Sequence, residues 1–199
     1  MKAKIWILAV LAGAVLLGGC TGNTSDNDKK TESVSGKQES SGTNASSGKS
    51  DSLPLPVTFE AADMEGNEVS SSIFSESKLT MINVWATYCN PCLQEMPDLG
   101  ELSGEYDSGE FQIIGVISDV QEGADQDTLD KASSLIEQTG ADYPHLLLNE
   151  SLYEAMLTEV TAVPTTFFFD SNGMVLDTLV GSRDKDEWKE IIDALLEKK

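Results

Sequence analysis

Residues 84–97 read Val-Trp-Ala-Thr-Tyr-Cys-Asn-Pro-Cys-Leu-Gln-Glu-Met-Pro, and this stretch decides the fold. It places two cysteines on either side of an Asn-Pro pair. An apolar, β-prone run from Leu79 to Trp85 leads into the cysteines, and a segment that can begin a helix follows them. The pattern predicts a buried strand, a turn and the start of a helix, with the cysteines at the turn.

The position of Cys89 and Cys92 has a chemical consequence. A thiol attacks as the thiolate, and the unpaired N–H groups at a helix N-terminus stabilise that negative charge. The spacing predicts Cys89 at the exposed mouth of the turn and Cys92 one turn further in. Two cysteines this close can form a disulfide and reopen, so the stretch predicts thiol–disulfide exchange.

Length and charge limit the other possibilities. The chain has 199 residues, which leaves about 150 for one folded domain once a leader and a linker are set aside. From residue 53 onward it holds 7 Lys and Arg against 29 Asp and Glu, hence a net charge of −22. Such a surface repels phosphate backbones, so nucleic acid is not expected as a partner. Three cysteines are too few for a disulfide-stapled scaffold.

Residues 1–19 form a predicted leader. Two lysines precede an apolar run at residues 5–17, which is shorter than the ~20 residues a spanning helix needs, so a secretory signal is predicted. The Leu-Gly-Gly-Cys segment ending at Cys20 resembles the lipobox of bacterial lipoproteins, which implies lipidation of Cys20. The alternative is an ordinary signal peptide with a chance cysteine. Residues 20–52 are rich in Ser and Gly and predict a flexible tether.

Strand and helix patterns alternate from residue 53 onward. Strands are predicted at residues 57–61, 79–85, 111–118, 145–148, 165–169 and 174–180, the last two joined by an Asn-Gly hairpin. Helices are predicted at residues 93–106, with a bend at Pro97, and at 129–139, 152–157 and 188–195. This order predicts an α/β fold over residues 53–199, in which helices flank a central mixed β-sheet.

Two motifs carry a family resemblance. Trp-Ala-Thr-Tyr-Cys-Asn-Pro-Cys at residues 85–92, with Ala-Val-Pro-Thr-Thr-Phe at 162–167, resembles the thioredoxin superfamily. More closely, the chain is similar to the TlpA/ResA-like family of membrane-anchored thiol–disulfide oxidoreductases, over residues 53–199. This resemblance implies a thioredoxin-like fold. Asn83 stands where cytoplasmic thioredoxins have a buried aspartate, which supports the subfamily and makes Asn83 unsuited to acid–base work.

The resemblance implies a catalytic role for four residues. Cys89 is the implied attacking cysteine and Cys92 the resolving one. Pro164 is implied to be a cis-proline that faces the disulfide, whereas the alternative is an ordinary trans proline before a strand. Glu95, on the same helix face as Cys92, is implied to handle protons for the thiols. Otherwise it is a helix-start carboxylate favoured by the helix dipole.

The same resemblance implies substrate-binding positions at Trp85, Tyr88, Val163 and Thr165. Tyr88 stands where tryptophan is commoner in the family. The redox group is the cysteine pair itself, so no further cofactor and no metal are expected.

The resemblance also implies partners and a location. The protein is expected to be a monomer that is exported and lipid-anchored to the membrane, facing outside the cytoplasm. Its expected substrates are disulfides of exported proteins, with apocytochrome c and a methionine sulfoxide reductase as candidate clients. A transmembrane thiol carrier of the CcdA or DsbD kind is the implied electron donor. The subfamily favours reduction, but potentials in this fold span about −270 to −120 mV, so an oxidase that inserts disulfides stays open.

The sequence fits three other functions less well. A copper chaperone on the same fold would need ligands beyond two thiolates, and the one histidine, His145, is expected near the surface at a strand entry. A peroxiredoxin-like peroxidase would need a peroxidatic threonine and cysteine arrangement that the sequence lacks. A purely structural disulfide would leave Trp85, Pro91 and Pro164 unexplained together.

Overall fold

The structure is a computed structural model that describes residues 55–198. Its strands are β1 (Glu60–Ala62), β2 (Glu68–Ser70), β3 (Leu79–Trp85), β4 (Phe111–Gln121), β5 (His145–Leu148), β6 (Thr165–Asp170) and β7 (Val175–Val180). Its helices are α1 (Asn90–Ser103), α2 (Gln126–Thr139), α3 (Glu150–Leu152), which leads into a π-helical turn at Tyr153–Leu157, and α4 (Lys185–Glu197). A short 3-10 helix spans Ser71–Glu76.

Five of the strands form one mixed sheet in the order β5-β4-β3-β6-β7. β3 pairs in parallel with β4 and antiparallel with β6. β5 extends the parallel half, and β7 extends the antiparallel half. The predicted class, α/β with a central mixed sheet, is confirmed.

β3 is the centre of this sheet, and all seven of its residues are buried. Successive side chains of a strand point to opposite faces. Ile82 and Val84 pack with Phe74 on one face, whereas Leu79 and Met81 pack with Trp188 of α4 on the other. Both faces of the sheet are therefore covered, which explains why the whole strand reads as apolar.

The elements divide between the two faces. Apolar side chains of α1, α2 and α4 pack on the face that carries Leu79, Met81 and Trp85. The hairpin of β1 and β2, the 3-10 helix and the α3 segment pack on the face that carries Ile82 and Val84. The turn between β3 and α1 consequently lies at the edge where both layers meet.

The ends of α2 follow from its sequence. Asp125 accepts a hydrogen bond from the N–H of Thr128 at 3.0 Å and so caps the first turn. Gly140 ends the helix with φ of 65°, the left-handed conformation that favours glycine. A side chain on Gly100 of α1 would collide with the carbonyl oxygen of Gly140, so this glycine lets the two helices approach.

Several predicted boundaries shift by a few residues, including the starts of the first strand and of α1. The first strand begins at Glu60 rather than Val57 and is three residues long. α1 begins at Asn90 rather than Leu93, because Pro91 fits a first helical turn, where no N–H is needed. The helix continues through Pro97.

Within residues 55–198, no helix is long and apolar enough to cross a membrane. The predicted signal peptide at residues 1–19, the lipidation of Cys20 and the tether at residues 20–52 lie outside the described residues.

Candidate active site

The two motif cysteines lie where β3 gives way to α1, and they form a disulfide with Cα atoms 5.3 Å apart. Cys89 is the N-cap of α1, and its Sγ accepts a hydrogen bond from the N–H of Cys92 at 3.2 Å. The N–H of Cys89 donates to the carbonyl oxygen of Ala86 at 3.0 Å. The Cys89 sulfur therefore lies at the positive end of the helix dipole, which favours a thiolate after reduction.

The two sulfurs differ less in exposure than the spacing predicted. Cys92 is fully buried, but Cys89 is also only 5% exposed, so the expectation of an open mouth at Cys89 is wrong. The cause is packing, since Trp85, Met96 and Val163 belong to the same apolar cluster as both cysteines. Cys89 therefore offers only a small part of its surface to a substrate.

The predicted proline borders the same cluster. The Val163–Pro164 peptide bond is cis. Val163 is half-buried and packs against the cluster that contains the cysteines, while Pro164 is buried. Thr165 follows as the first residue of β6 and pairs with Val84 of β3. The sheet thus brings Val163 and the disulfide together, although they are far apart in sequence.

Two of the four predicted substrate-binding residues are inaccessible. Trp85 is fully buried, and its indole Nε1 donates to Nδ1 of His145 at 3.1 Å. Thr165 is 3% exposed, and its hydroxyl donates to the carbonyl oxygen of Ala162 at 2.7 Å. Tertiary packing thus turns both side chains into the interior, and a substrate-binding role for these two positions stays a prediction.

His145 is buried, so the expectation that it lies near the surface is also wrong. Its Nδ1 accepts from Trp85, and its Nε2 is 3.0 Å from the carbonyl oxygen of Ala141. Since Nδ1 accepts, Nε2 carries the proton and donates to Ala141. Burial lowers the pKa of His145 from 6.5 to about 4. Both ring nitrogens are occupied, so the imidazole is not available as a metal ligand.

Tyr88 and Val163, the other two predicted substrate-binding residues, line one cleft of about 210 Å³. Tyr88 adjoins Cys89 in sequence and is 71% exposed. The cleft is lined by Tyr88, Ser118, Leu148, Tyr153, Leu157, Val160, Thr161, Ala162 and Val163. Most of these side chains are apolar or aromatic, which is typical of a ligand-binding cleft.

Glu95 lies on α1, one turn beyond Cys92, and is 2% exposed. Its Oε1 accepts from Nδ2 of Asn83 at 2.9 Å, and its Oε2 accepts from the backbone N–H of Arg183 at 3.2 Å. Nδ2 of Asn83 also donates to the hydroxyl of Thr166 at 3.1 Å. The carboxyl group is thus held by two donors in the interior, which an exposed helix-start carboxylate would not be.

The pKa of Glu95 follows from this setting. Burial disfavours the charged form and raises the pKa from 4.5 to about 7, while the hydrogen bonds from Asn83 and Arg183 oppose the rise. A carboxyl group with a pKa near neutrality gains and loses a proton at the working pH. Helix spacing places Glu95 and Cys92 on one face of α1, and the role of Glu95 in proton exchange with the thiols stays a prediction.

The sequence did not predict that Thr166 and Arg183 belong to this site. Thr166 lies 83 residues from Asn83, and Arg183 lies 88 residues from Glu95. Arg183 donates its backbone N–H to Glu95, and its positive charge also opposes the rise in the pKa of that carboxyl group. The only cue to Thr166 was its place in the Pro-Thr-Thr segment of the second motif.

Within the part of the chain that the structure describes, no three or more His, Cys, Asp or Glu side chains are grouped so that they could hold a metal ion.

The sequence of the chain is similar to those of known protein families and relatives. The model of the AhpC/TSA family matches residues 54–178. The thiol-disulfide oxidoreductase ResA of Bacillus anthracis is 27% identical over 129 residues, which cover 65% of this chain and 69% of ResA. The thioredoxin-like protein YneN of Bacillus subtilis strain 168 is 32% identical over 135 residues, covering 63% of this chain and 70% of YneN.

A solved structure agrees with these sequence matches. The thiol:disulfide interchange protein of the thioredoxin family from Chlorobium tepidum TLS has a TM-score of 0.62 and 26% identity, covering 73% of this chain and 99% of that protein. The predicted thioredoxin-like fold is therefore confirmed. The family model that matches the chain is that of AhpC/TSA. The predicted resemblance to ResA-like proteins is supported by individual relatives such as ResA itself.

Proposed function

The chain belongs to the AhpC/TSA family, and we propose that it is a thiol–disulfide oxidoreductase that reduces disulfides of exported proteins while anchored to a membrane outside the cytoplasm. One observation carries the proposed activity: a disulfide at the N-terminus of α1, with Cys89 beside an open cleft and the buried carboxyl group of Glu95 one turn beyond Cys92. This arrangement supplies a nucleophile, a resolving thiol and a proton acceptor.

In the first half-reaction, the Cys89 thiolate attacks one sulfur of a substrate disulfide. The substrate S–S bond breaks, a mixed disulfide forms with Cys89, and the released substrate sulfur takes up a proton from solvent. The helix N-terminus favours the attacking thiolate, because the N–H of Cys92 already points at the Cys89 sulfur. The side chains of Tyr88 and Val163 hold the substrate segment beside it.

In the second half-reaction, Cys92 gives its proton to the Glu95 carboxylate and attacks the Cys89 sulfur. The mixed disulfide breaks, the Cys89–Cys92 disulfide forms, and the second substrate thiol leaves. Two electrons have passed from the enzyme dithiol to the substrate. Glu95 suits the step because burial raises its pKa to about 7, close to the pH at which it must accept and return the proton.

The oxidised enzyme must then be reduced. The family resemblance supports a transmembrane thiol carrier of the CcdA or DsbD kind as donor. It also supports apocytochrome c or an exported methionine sulfoxide reductase as client. We take the enzyme to work as a monomer whose only redox group is its own disulfide.

Trapping of the mixed disulfide tests the proposed activity. In Cys92→Ser, attack by Cys89 still proceeds but resolution cannot, so a disulfide-containing client peptide accumulates as a covalent adduct visible by mass spectrometry. Cys89→Ser is the matched control and is expected to form no adduct. An adduct on Cys92 in the Cys89→Ser variant, or reduction of disulfides by that variant, would overturn the roles assigned to the two cysteines.

The proposed anchor has its own test. The full chain is expressed in a bacterium with a labelled fatty acid, and label is expected on the wild type and not on Cys20→Ser. The variant is expected in the soluble exported fraction rather than the membrane fraction. Label on Cys20→Ser, or retention of this variant in the membrane, would contradict lipid anchoring through Cys20.

A further inference from the structure

The walls of the cleft beside Cys89 carry two aromatic side chains that face solvent. Tyr88 is 71% exposed and Tyr153 is 49% exposed, and both line the cleft with Leu157 and Val163. Exposed aromatic side chains beside half-buried aliphatic ones form a surface that favours an apolar ligand group. Tyr88 adjoins Cys89, so such a group would lie close to the sulfur under attack.

Most of the charged side chains next to this cleft are acidic. Glu154 and Glu159 are exposed, and they adjoin the cleft residues Tyr153 and Val160 in sequence. Asp119, also exposed, adjoins Ser118. The sequence contains no lysine or arginine at residues 132–182, a range that includes seven of the nine cleft residues.

One cation lies near this rim, because Lys131 is hydrogen-bonded to Thr87, the residue before Tyr88. Its Nζ donates to the hydroxyl of Thr87 at 3.0 Å. The same hydroxyl donates to the carboxylate of Asp119 at 2.6 Å, and the N–H of Thr87 donates to that carboxylate at 2.9 Å. Lys131 therefore offsets the charge of Asp119, and the acidic character of the rim rests on Glu154 and Glu159.

We propose that this cleft selects, among disulfides of exported proteins, extended segments that carry an aromatic or aliphatic residue next to the cysteine and lysine or arginine on its flanks. The inference rests on the proposed function and names its substrate class. Two features carry it: the tyrosines that accept the apolar residue, and the carboxylates of Glu154 and Glu159 that attract the flanking cations. Opposite charge raises the rate of encounter, and salt screens it.

Peptides of one length test the inference on the reduced, full chain. Each has a single cysteine joined to 2-mercaptoethanol as a neutral mixed disulfide. The first has a tyrosine beside the cysteine and lysines on both flanks, the second replaces the lysines by glutamates, and the third replaces the tyrosine by serine. The second-order rate constant is expected to be at least about tenfold higher for the first peptide than for the second at low salt.

Salt separates the two features of the cleft. In 1 M salt the screening length falls to about 3 Å, so the advantage of lysine over glutamate should shrink toward unity. The advantage of tyrosine over serine should persist, because apolar contact is not screened. Equal rates for the lysine and glutamate peptides at low salt would overturn the inference, as would faster reduction of the glutamate peptide.

Charge reversal locates the effect. In Glu154→Lys/Glu159→Lys, the ratio of the lysine-peptide to the glutamate-peptide rate is expected to fall severalfold. Glu190→Lys/Glu197→Lys makes the same change of net charge on exposed positions of α4, which packs on the opposite face of the sheet, and should leave the ratio unchanged. An equal fall in both variants would show that net charge alone, and not the cleft, is responsible.

A small neutral disulfide separates failure of this inference from failure of the proposed function. The wild type is expected to reduce bis(2-hydroxyethyl) disulfide through Cys89. If it does so and the peptides show no preference, the substrate class is wrong and the activity stands. If it reduces neither, the proposed function itself fails.

Discussion

Glu95 and His145 are both buried ionisable side chains on the α1 face of the sheet, beside the cluster that holds the disulfide, yet they behave differently. Burial favours the neutral form of each: it raises the pKa of Glu95 to about 7 and lowers that of His145 to about 4. The carboxyl group therefore titrates near neutral pH, whereas the imidazole stays uncharged. The residue type that usually handles protons near pH 7 is here the inert one.

The hydrogen-bond partners of Glu95 and His145 also differ. Glu95 receives two donors, from Asn83 and from the backbone of Arg183, and both stabilise its charged form. His145 accepts from Trp85 and donates to Ala141, so its neutral form uses both nitrogens. The first set of contacts supports a carboxylate that gains and loses a proton, and the second supports a fixed scaffold under the motif.

The largest expected effect is on the rate of resolution in Glu95→Gln. Glutamine keeps the shape but cannot accept a proton, and general-base assistance contributes roughly 10²- to 10⁴-fold. Single-turnover release of substrate thiol from the Cys89 mixed disulfide should slow by that order. It should also lose a rise with pH centred near 7, where Glu95 titrates. Glu190→Gln, at an exposed position of α4, serves as control. An unchanged rate of resolution in Glu95→Gln would contradict the difference drawn between Glu95 and His145.

The next effect is on stability against pH in the same variant. The native pKa of Glu95 exceeds its ordinary value of 4.5, so this group's contribution to stability is fully present below pH 4.5 and is lost as pH rises through about 7. At about 1.4 kcal/mol per pKa unit, the loss is up to roughly 3 kcal/mol. Glu95→Gln should therefore gain stability relative to the wild type between pH 4.5 and 7 in urea titrations. If the difference in free energy of unfolding between Glu95→Gln and the wild type did not change with pH, the raised pKa of Glu95 would be contradicted.

His145→Leu should affect stability and leave the resolution rate close to that of the wild type. It leaves the buried indole N–H of Trp85 without an acceptor, a loss of about 1–3 kcal/mol at pH 7. Because the native pKa of His145 is depressed, its contribution is present above pH 6.5 and is lost as pH falls through about 4. The difference in free energy of unfolding between His145→Leu and the wild type should therefore become smaller as the pH falls. A loss of rate comparable to that of Glu95→Gln would show that the imidazole is not inert.

Thr166→Val gives the smallest expected effect. It removes the hydroxyl that accepts from Asn83 but leaves the Asn83–Glu95 hydrogen bond intact. The free energy of unfolding should fall by about 1 kcal/mol. The pH at which resolution reaches half its maximum should stay close to the wild-type value. A large change in that pH would mean that Thr166 contributes to the setting of Glu95.

The parts of this molecule that the sequence predicted are those with local signals. The strand from Leu79 to Trp85 is a mostly apolar, β-prone run, and the hairpin at Asn172-Gly173 has a turn sequence that suits its geometry, with φ of 76° at the glycine. Gly140 ended α2 as predicted. In each case a few neighbouring residues determine the conformation.

The misplacement of His145 has a different cause. His145 pairs with Gly115 of β4, and a side chain on this glycine would collide with the imidazole. The histidine can be buried because this residue, 30 positions away in sequence, lacks a side chain, and its Nδ1 accepts from the buried indole of Trp85. Local patterns do not show such long-range register, nor do they show the contacts of Glu95 with Asn83 of β3 and with the loop after β7.

The reduction potential of the Cys89–Cys92 pair tests the central claim most directly. It is measured by equilibrating the protein with glutathione or dithiothreitol redox buffers and quantifying the disulfide. The proposed reductase predicts a potential near or below about −250 mV, so that the reduced form can pass electrons to client disulfides. A value near −120 mV would contradict it and make the protein an oxidant that inserts disulfides into exported proteins.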